Sequence, residues 1–231
     1  MAEIKVVERR AEQPEVVDRA LDFWSRYGRI ILIALTALVV LIGAYLAYKY
    51  LIQKPKEQKA AEAVFKAQQY YGTDSFRLAL NGDGLNPGFL KIISSYGGTK
   101  AGNLARFYAG ASYLQSGDAV NAIKHLKEFE TDSKPVQARA YKLLGDAYAE
   151  TGRNNDAFEN YKKAARHFGD DDQNASEYLF MAAFFADRVL KNNSEATTLY
   201  RELKERYPRS QYGFEADKYL ARLGVYDTEK K

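Results

Sequence analysis

Tyr141-Lys142-Leu143-Leu144-Gly145-Asp146-Ala147-Tyr148, continuing to Ala157, Tyr161 and Ala164, is the stretch whose reading decides the fold. The same pattern stands 35 residues earlier, where Gly110, Tyr113, Gly117 and Ala122 precede Gly145, Tyr148, Gly152 and Ala157. A fixed period of this size means stacked supersecondary units, each unable to bury its apolar face alone. Within a unit, the first glycine lets a second helix approach closely and the tyrosine fills the space beside it. The second glycine serves the turn, and the alanine sits at the next helix crossing.

Around this pair the chain of 231 residues has a mild net charge of +4, with lysine and arginine interspersed among acids. Nothing in that pattern makes a nucleic-acid footprint. Cysteine is absent, which removes disulfides, thiol nucleophiles and thiolate metal sites together.

Upstream, residues 1–13 are charged and aperiodic and read as a flexible tail. Pro14 can open a helix, since its missing N–H costs nothing in the first turn. Val16, Val17, Ala20, Leu21 and Trp24 share one face, so a short amphipathic helix at a membrane surface is expected, ending near Gly28. Residues 1–29 form this lead-in. Ile30 to Tyr48 carries no charge, and with its flanks (30–52) it reaches the ~20 residues needed to cross a bilayer. Trp24 and Tyr27 on one side, with Tyr45, Tyr48 and Tyr50 on the other, suit interfacial belts, and Gly43 lies within the span. A cleaved signal peptide would need a shorter charged region, a shorter apolar run and a small-residue cleavage site. Four basic residues flank the span on each side (Arg10, Arg19, Arg26, Arg29 against Lys54, Lys56, Lys59, Lys66), so charge bias leaves the orientation open.

Downstream, Pro55 marks a break, and a helix is expected from about Glu57 to Tyr71. Thr73 to Gly88 reads as a loop, because Asn81-Gly82-Asp83-Gly84 and Asn86-Pro87-Gly88 are turn signals. Phe89 to Tyr96 resumes a helix, and Gly97-Gly98-Thr99-Lys100 looks like Tyr207-Pro208-Arg209-Ser210. Residues 53–98 thus form a linker helix and a divergent first hairpin with an inserted loop. Residues 99–226 carry the repeats. Gly169 to Gln173 is a polar connection, and Glu177 to Lys191 with Glu195 to Tyr207 makes a third hairpin. There Phe184 or Ala183 replaces the crossing glycine. Tyr212 to Leu223 reads as a capping helix, and residues 227–231 as a disordered tail.

The paired hairpins resemble the tetratricopeptide repeat family. The fold class expected is therefore all-α: a single N-terminal transmembrane helix, then a tetratricopeptide-like α-solenoid of about three to four hairpins plus the capping helix.

Chemistry finds little footing. His125 stands between Lys124 and Lys127 in a second-helix segment, and His167 near a helix C-terminus, where it complements the dipole. Asp170-Asp171-Asp172 reads as a solvated turn, since calcium loops need spaced oxygen ligands. Asn81-Gly82-Asp83-Gly84 lacks the ligands of an EF-hand. Asp146 and Glu150 are read as ordinary surface charge. No catalytic residue, cofactor or metal site is expected.

A binding groove is the alternative. In a tetratricopeptide array the first helices line a concave face, and the resemblance places Phe107, Tyr108, Ala111 and Leu114 there. Arg139, Lys142, Asp146 and Ala149 follow from the next repeat, then Tyr178, Met181 and Phe185. Such a surface suits a hydrophobic helix or extended segment of a partner. Equally, Phe107 and Phe185 could be buried between hairpins. Receptors for acidic chaperone C-termini carry lysines and asparagines at groove positions held here by Phe107, Ala111, Leu143, Tyr178 and Ala182, which argues against that class.

The order of parts adds a finer resemblance. Asp18-Arg19-Ala20-Leu21-Asp22-Phe23-Trp24-Ser25-Arg26-Tyr27-Gly28-Arg29 before the span, Leu41-Ile42-Gly43-Ala44-Tyr45 within it, and Phe89 to Ala165 after it look like the ancillary SecYEG translocon subunits (YfgM-like proteins). The Thr73 to Gly88 segment departs from that family. The resemblance implies a bacterial inner-membrane protein with a cytoplasmic N-terminus and periplasmic repeats. Its implied partners are the SecYEG translocon, a PpiD-type periplasmic chaperone and unfolded or nascent polypeptide. A cell-envelope adaptor serving division or outer-membrane assembly machinery is the alternative.

Overall fold

The computed structural model describes residues 14–167 and 172–226. The N-terminal tail, residues 168–171 with Asp170 and Asp171 of the expected polar connection, and the tail after residue 226 lie outside them. Among the described residues the regular structure is helical, in two compact units, Met1–Pro55 and Lys56–Lys231.

In the first unit, α1 runs unbroken from Pro14 to Ala47. The expected stop at Gly28 does not occur. The Trp24 indole folds over Gly28, where a Cβ would lie 3.2 Å from the ring. One glycine costs a helix interior only about 1 kcal/mol, too little to end so long an apolar run. The helix is long and apolar enough to cross a membrane, and the side chains of its apolar stretch face outward. It gives way to a π-helical segment, Tyr48–Gln53. The Lys54 N–H reaches back five residues to the Lys49 carbonyl. The widened turn stands directly before Pro55, whose ring would otherwise press on a carbonyl one turn back.

In the second unit, α2 (Lys54–Gly72), α3 (Phe76–Asn81) and α4 (Phe89–Tyr96) lead in. They share a core built on Ala60, Val64, Ala67, Phe89 and Ile92. The hairpins follow as α5 (Lys100–Gln115) with α6 (Ala119–Lys127), then α7 (Lys134–Glu150) with α8 (Asn154–His167). The last are α9 (Asp172–Arg188) with α10 (Asn193–Arg206), and α11 (Gln211–Arg222).

The expected loop at Thr73 to Gly88 contains α3. Arg77, Leu78, Ala79 and Leu80 are good helix formers, and burial of Ala79 and Leu80 rewards the turn they make. After it the chain reverses around one carboxylate. Asp83 accepts from the backbone N–H groups of Leu85 (2.9 Å) and Asn86 (2.6 Å), the Asn86 amide (2.9 Å) and the Tyr70 hydroxyl (2.6 Å). Those bonds hold its carboxyl well below the usual carboxylate range, the Asn86 backbone N–H contributing most.

The two regular hairpins share their crossing and their turn. At Gly110 a Cβ would meet Leu126 at 2.4 Å, and at Gly145 it would meet the Tyr161 ring at 2.5 Å. Leu126 and Tyr161 are themselves 35 residues apart, so one close crossing is built twice. Gly117 (φ +77°) and Gly152 (φ +73°) take left-handed backbone. Behind them Asp118 N–H reaches the Tyr113 carbonyl and Arg153 N–H the Tyr148 carbonyl, both at 2.9 Å. That is the glycine-capped helix end favoured wherever a Cβ would clash.

Candidate functional site

In α7, Ala140, Leu144, Ala147 and Tyr148 are buried, and Gly145 is the close crossing with Tyr161 of α8. Helical geometry then turns Arg139, Lys142, Asp146 and Glu150 to the opposite face. Arg139 and Glu150 are exposed there, and Lys142 and Asp146 half-buried. Lys142 Nζ sits 2.7 Å from Asp146, and the Tyr161 hydroxyl donates to the other oxygen of Asp146 at 3.0 Å. Burial first, then the Asp146 charge, raises the Tyr161 phenol far above its ordinary value, so it remains a donor. Its ring meets Phe185 edge-on at 5.3 Å between centroids. Lys142, Asp146, Tyr161 and Phe185 therefore form one chain of contacts from α7 through α8 to α9. Asp146 serves as a fixed anionic strut.

In α9 the same argument places Leu179, Ala182, Ala183 and Ala186 in the core. Tyr178, Met181 and Phe185 are half-buried, Phe185 against Tyr161 of α8, and Phe184 is 40% exposed. Ala183, not Phe184, thus takes the crossing position in the third hairpin. Phe184, partly exposed, stacks on Phe180 at 5.9 Å and meets Tyr219 of α11 edge-on at 6.1 Å.

In α5 the expectation is only partly met. Phe107 is 6% exposed, ring-packed against Phe129 at 5.3 Å and Tyr108 at 5.3 Å. Ala111 and Leu114 are buried as well. These three are closed to any partner and belong to the packing between hairpins. Tyr108 is half-buried, stacked on Phe89 at 5.5 Å and edge-on to Tyr71 at 5.2 Å. Ala149 is half-buried on α7. Tyr71, at the end of α2, thus covers one side of the Tyr108 ring. The open part of the face runs from Arg139 through Lys142 and Asp146 to Met181.

Both histidines rest against tyrosines. His125 stacks on Tyr113 at 5.5 Å, and His167 meets Tyr141 edge-on at 5.7 Å. Burial, then Lys124, lowers the His125 pKa, and its Nδ1 has no hydrogen-bond partner. In the first unit Trp24, Tyr27, Tyr45 and Tyr48 are exposed on their helices, and Gly43 has open space around it. Lys54 Nζ lies 4.3 Å from the centroid of the Tyr50 ring.

One capping residue was missed altogether. Glu57 accepts from the Lys100 N–H at 2.9 Å and the Ala101 N–H at 2.8 Å, closing the start of α5 from 43 residues away. Thr99 takes the next N–H, from Gly102, at 2.9 Å. An acidic residue one turn into α2 was the available signal, but its destination depends on tertiary approach.

Comparison with known families gives two matches. A family model described as a tetratricopeptide repeat-like domain matches residues 21–140, and one described as a tetratricopeptide repeat matches residues 177–210. The first begins inside the apolar helix and runs into α7; the second covers most of α9 and all of α10. No curated protein matches the chain.

Proposed function

The chain belongs to the tetratricopeptide repeat-like domain family, and from that premise we propose that it is a membrane-anchored scaffold holding a protein partner on the concave face. The observation that carries this reading is the open stretch from Arg139 to Met181, where aromatic and thioether surface adjoins a braced Lys142–Asp146 pair. Half-buried aromatic and apolar side chains interleaved with Arg139, Lys142 and Asp146 fit the apolar side of a partner helix or an extended segment that also carries polar groups. The stretch offers recognition without a nucleophile or a proton relay, so the role is scaffolding and not catalysis. Tethering to a membrane raises the local concentration of a weak binder near its client, so single contacts need not be tight.

The finer reading places the span in a bacterial inner membrane, with the N-terminus cytoplasmic and the repeats periplasmic. The partners are then the SecYEG translocon, a PpiD-type chaperone and emerging polypeptide. It rests on the order of parts: a Trp-bearing lead-in, one glycine-containing span and tetratricopeptide hairpins.

Protease accessibility of the repeats in intact and outer-membrane-permeabilised cells, followed by mild-detergent pull-down, tests both levels. Digestion only after permeabilisation, with Sec subunits recovered, is expected. Repeats protected until the inner membrane is lysed would remove the translocon reading. Division or outer-membrane assembly proteins in place of Sec subunits would favour the envelope adaptor. Tyr178→Ala with Met181→Ala should cut partner recovery about tenfold or more at unchanged helical content. Full recovery in that variant would mean the concave face is not the site.

A further inference from the structure

A second internal repeat becomes visible once α11 is placed. Ser176-Glu177-Tyr178-Leu179-Phe180-Met181-Ala182 on α9 and Ser210-Gln211-Tyr212-Gly213-Phe214-Glu215-Ala216 on α11 share Ser, Tyr, Phe and Ala at a spacing of 34. In α9, Phe180 is the centre of an aromatic cluster. It stacks on Tyr212 at 5.0 Å and meets Tyr219 edge-on at 5.2 Å, and Tyr219 in turn stacks on Tyr200 at 5.1 Å. Tyr212 and Tyr219 both come from α11, so the cover over Phe180 is the next helix. Phe214 is the positional equivalent of Phe180, yet it is 70% exposed. Among the described residues no helix covers that ring, so α11 presents a phenylalanine on its open face.

The rest of that face is self-complementary. Gln211, Phe214, Asp217, Lys218 and Ala221 recur at intervals of three and four along α11 and so lie on one side. An antiparallel pair of α11 helices centred between Asp217 and Lys218 sets each Phe214 over Ala221 of the second copy. It also sets each Asp217 against Lys218 of the second copy. Lys204 already holds Asp217 Oδ1 at 2.7 Å, with the aspartate side chain 63% exposed. The opposite end of the array is less suited, because the outer side of α2 sets its exposed Phe65 (59%) among exposed Lys59, Glu62 and Lys66. Head-to-tail stacking would bury those charges against Phe214, whereas a two-fold pairing joins like faces and closes on itself.

We propose that α11 is a homodimerisation surface, pairing antiparallel with α11 of a second copy through Phe214, Ala221 and the Asp217–Lys218 charges. One short helix face is a small interface, so the dimer is weak in dilute solution and favoured by confinement to a membrane plane.

The absence of cysteine makes the test clean. Lys218→Cys in the full chain, in mild detergent, sits beside the two-fold axis. It should form a disulfide dimer under mild oxidation, while Val120→Cys, 71% exposed on α6, should not. Phe214→Glu added to Lys218→Cys should weaken dimerisation at least about tenfold, the loss typical of a central interface residue. Asp217→Lys alone should lower the dimer fraction in light scattering, and Asp217→Lys with Lys218→Asp should restore it. Equal crosslinking at 120 and 218, a dimer indifferent to Phe214→Glu, a monomer at all concentrations, crosslinking of position 218 to another protein, or no rescue by the double reversal would each overturn the proposal.

Discussion

The hairpins α5–α6 and α7–α8 solve their helix crossing with glycine, whereas α9–α10 solves it with alanine and aromatic rings. In the regular pair, Gly110 and Gly145 bring backbone against Leu126 and Tyr161. In the third, Ala183 leaves the helices on a methyl group, and Phe180, Tyr200, Tyr212 and Tyr219 fill the space beyond. The turn differs too. Gly117 and Gly152 end their helices, but Lys191 takes the left-handed conformation at φ +54°, and Asn192 N–H reaches back six residues to Ala186 at 2.9 Å. A repeat is thus defined by the volume its crossing must fill, and two chemistries fill it.

That contrast can be broken most severely at Tyr200, whose side chain is wholly buried. Tyr200→Ala should cost about 3–5 kcal/mol in denaturant unfolding. Its hydroxyl has no hydrogen-bond partner, so Tyr200→Phe should be neutral or slightly stabilising. A large loss from the phenylalanine variant would show that the hydroxyl matters more than the ring.

Gly145→Ala should lose about 1–3 kcal/mol, because the Tyr161 ring cannot yield within a filled crossing. Ala183→Gly in the third hairpin should lose about 1 kcal/mol through helix propensity, without a steric term. Equal behaviour of Gly145→Ala and a surface glycine substitution would remove the distinction.

The turns should respond in opposite directions. Gly152→Ala should destabilise by about 1–2 kcal/mol, whereas Lys191→Gly should stabilise by about 0.5–1 kcal/mol once the entropy of glycine is deducted. Thermal melts of the two variants read the signs directly, and a melting temperature lowered by Lys191→Gly would contradict the strain assigned there.

The smallest effect distinguishes the two regular hairpins from each other. His125 corresponds to Asn160, whose amide donates to the Asp156 carbonyl at 2.8 Å. The His125 pKa is lowered in the folded protein, so below about 6.5 the unfolded chain binds more protons and folding is disfavoured. Stability should therefore be complete above that pH and fall as pH drops through the window beneath it. His125→Asn should flatten the slope, and a slope unchanged in that variant would assign it elsewhere.

Much of this architecture was legible in the residues. Gly145, Tyr148, Gly152 and Ala157 fix a hairpin because each meets a local steric demand, and period 35 repeats the demand. What could not be read depends on approach from outside the segment. Phe107 has the composition of a groove residue, but Phe129 covers it. Gly28 carries the usual signal of a helix end, yet the indole one turn earlier and the apolar run beyond override it. Leu80 lies beside turn signals, and only a neighbouring core makes its helix worthwhile. The spacing of 34 that links Phe180 to Phe214 was present in the sequence, but a capping helix had no evident reason to repeat its predecessor.

The clasp of Glu57 on the first amides of α5 has a consequence for how the array comes apart. In a stacked solenoid each unit leans on its neighbours, so opening begins at an end and works inward. The α2 end is stitched by a carboxylate to backbone 43 residues away, whereas α11 ends with an uncovered ring. Amide hydrogens should therefore exchange with a polarity: α11 first, then α10, with the first turn of α5 among the last to give way. A chain pulled from its N-terminal side would meet its firmest knot at the start.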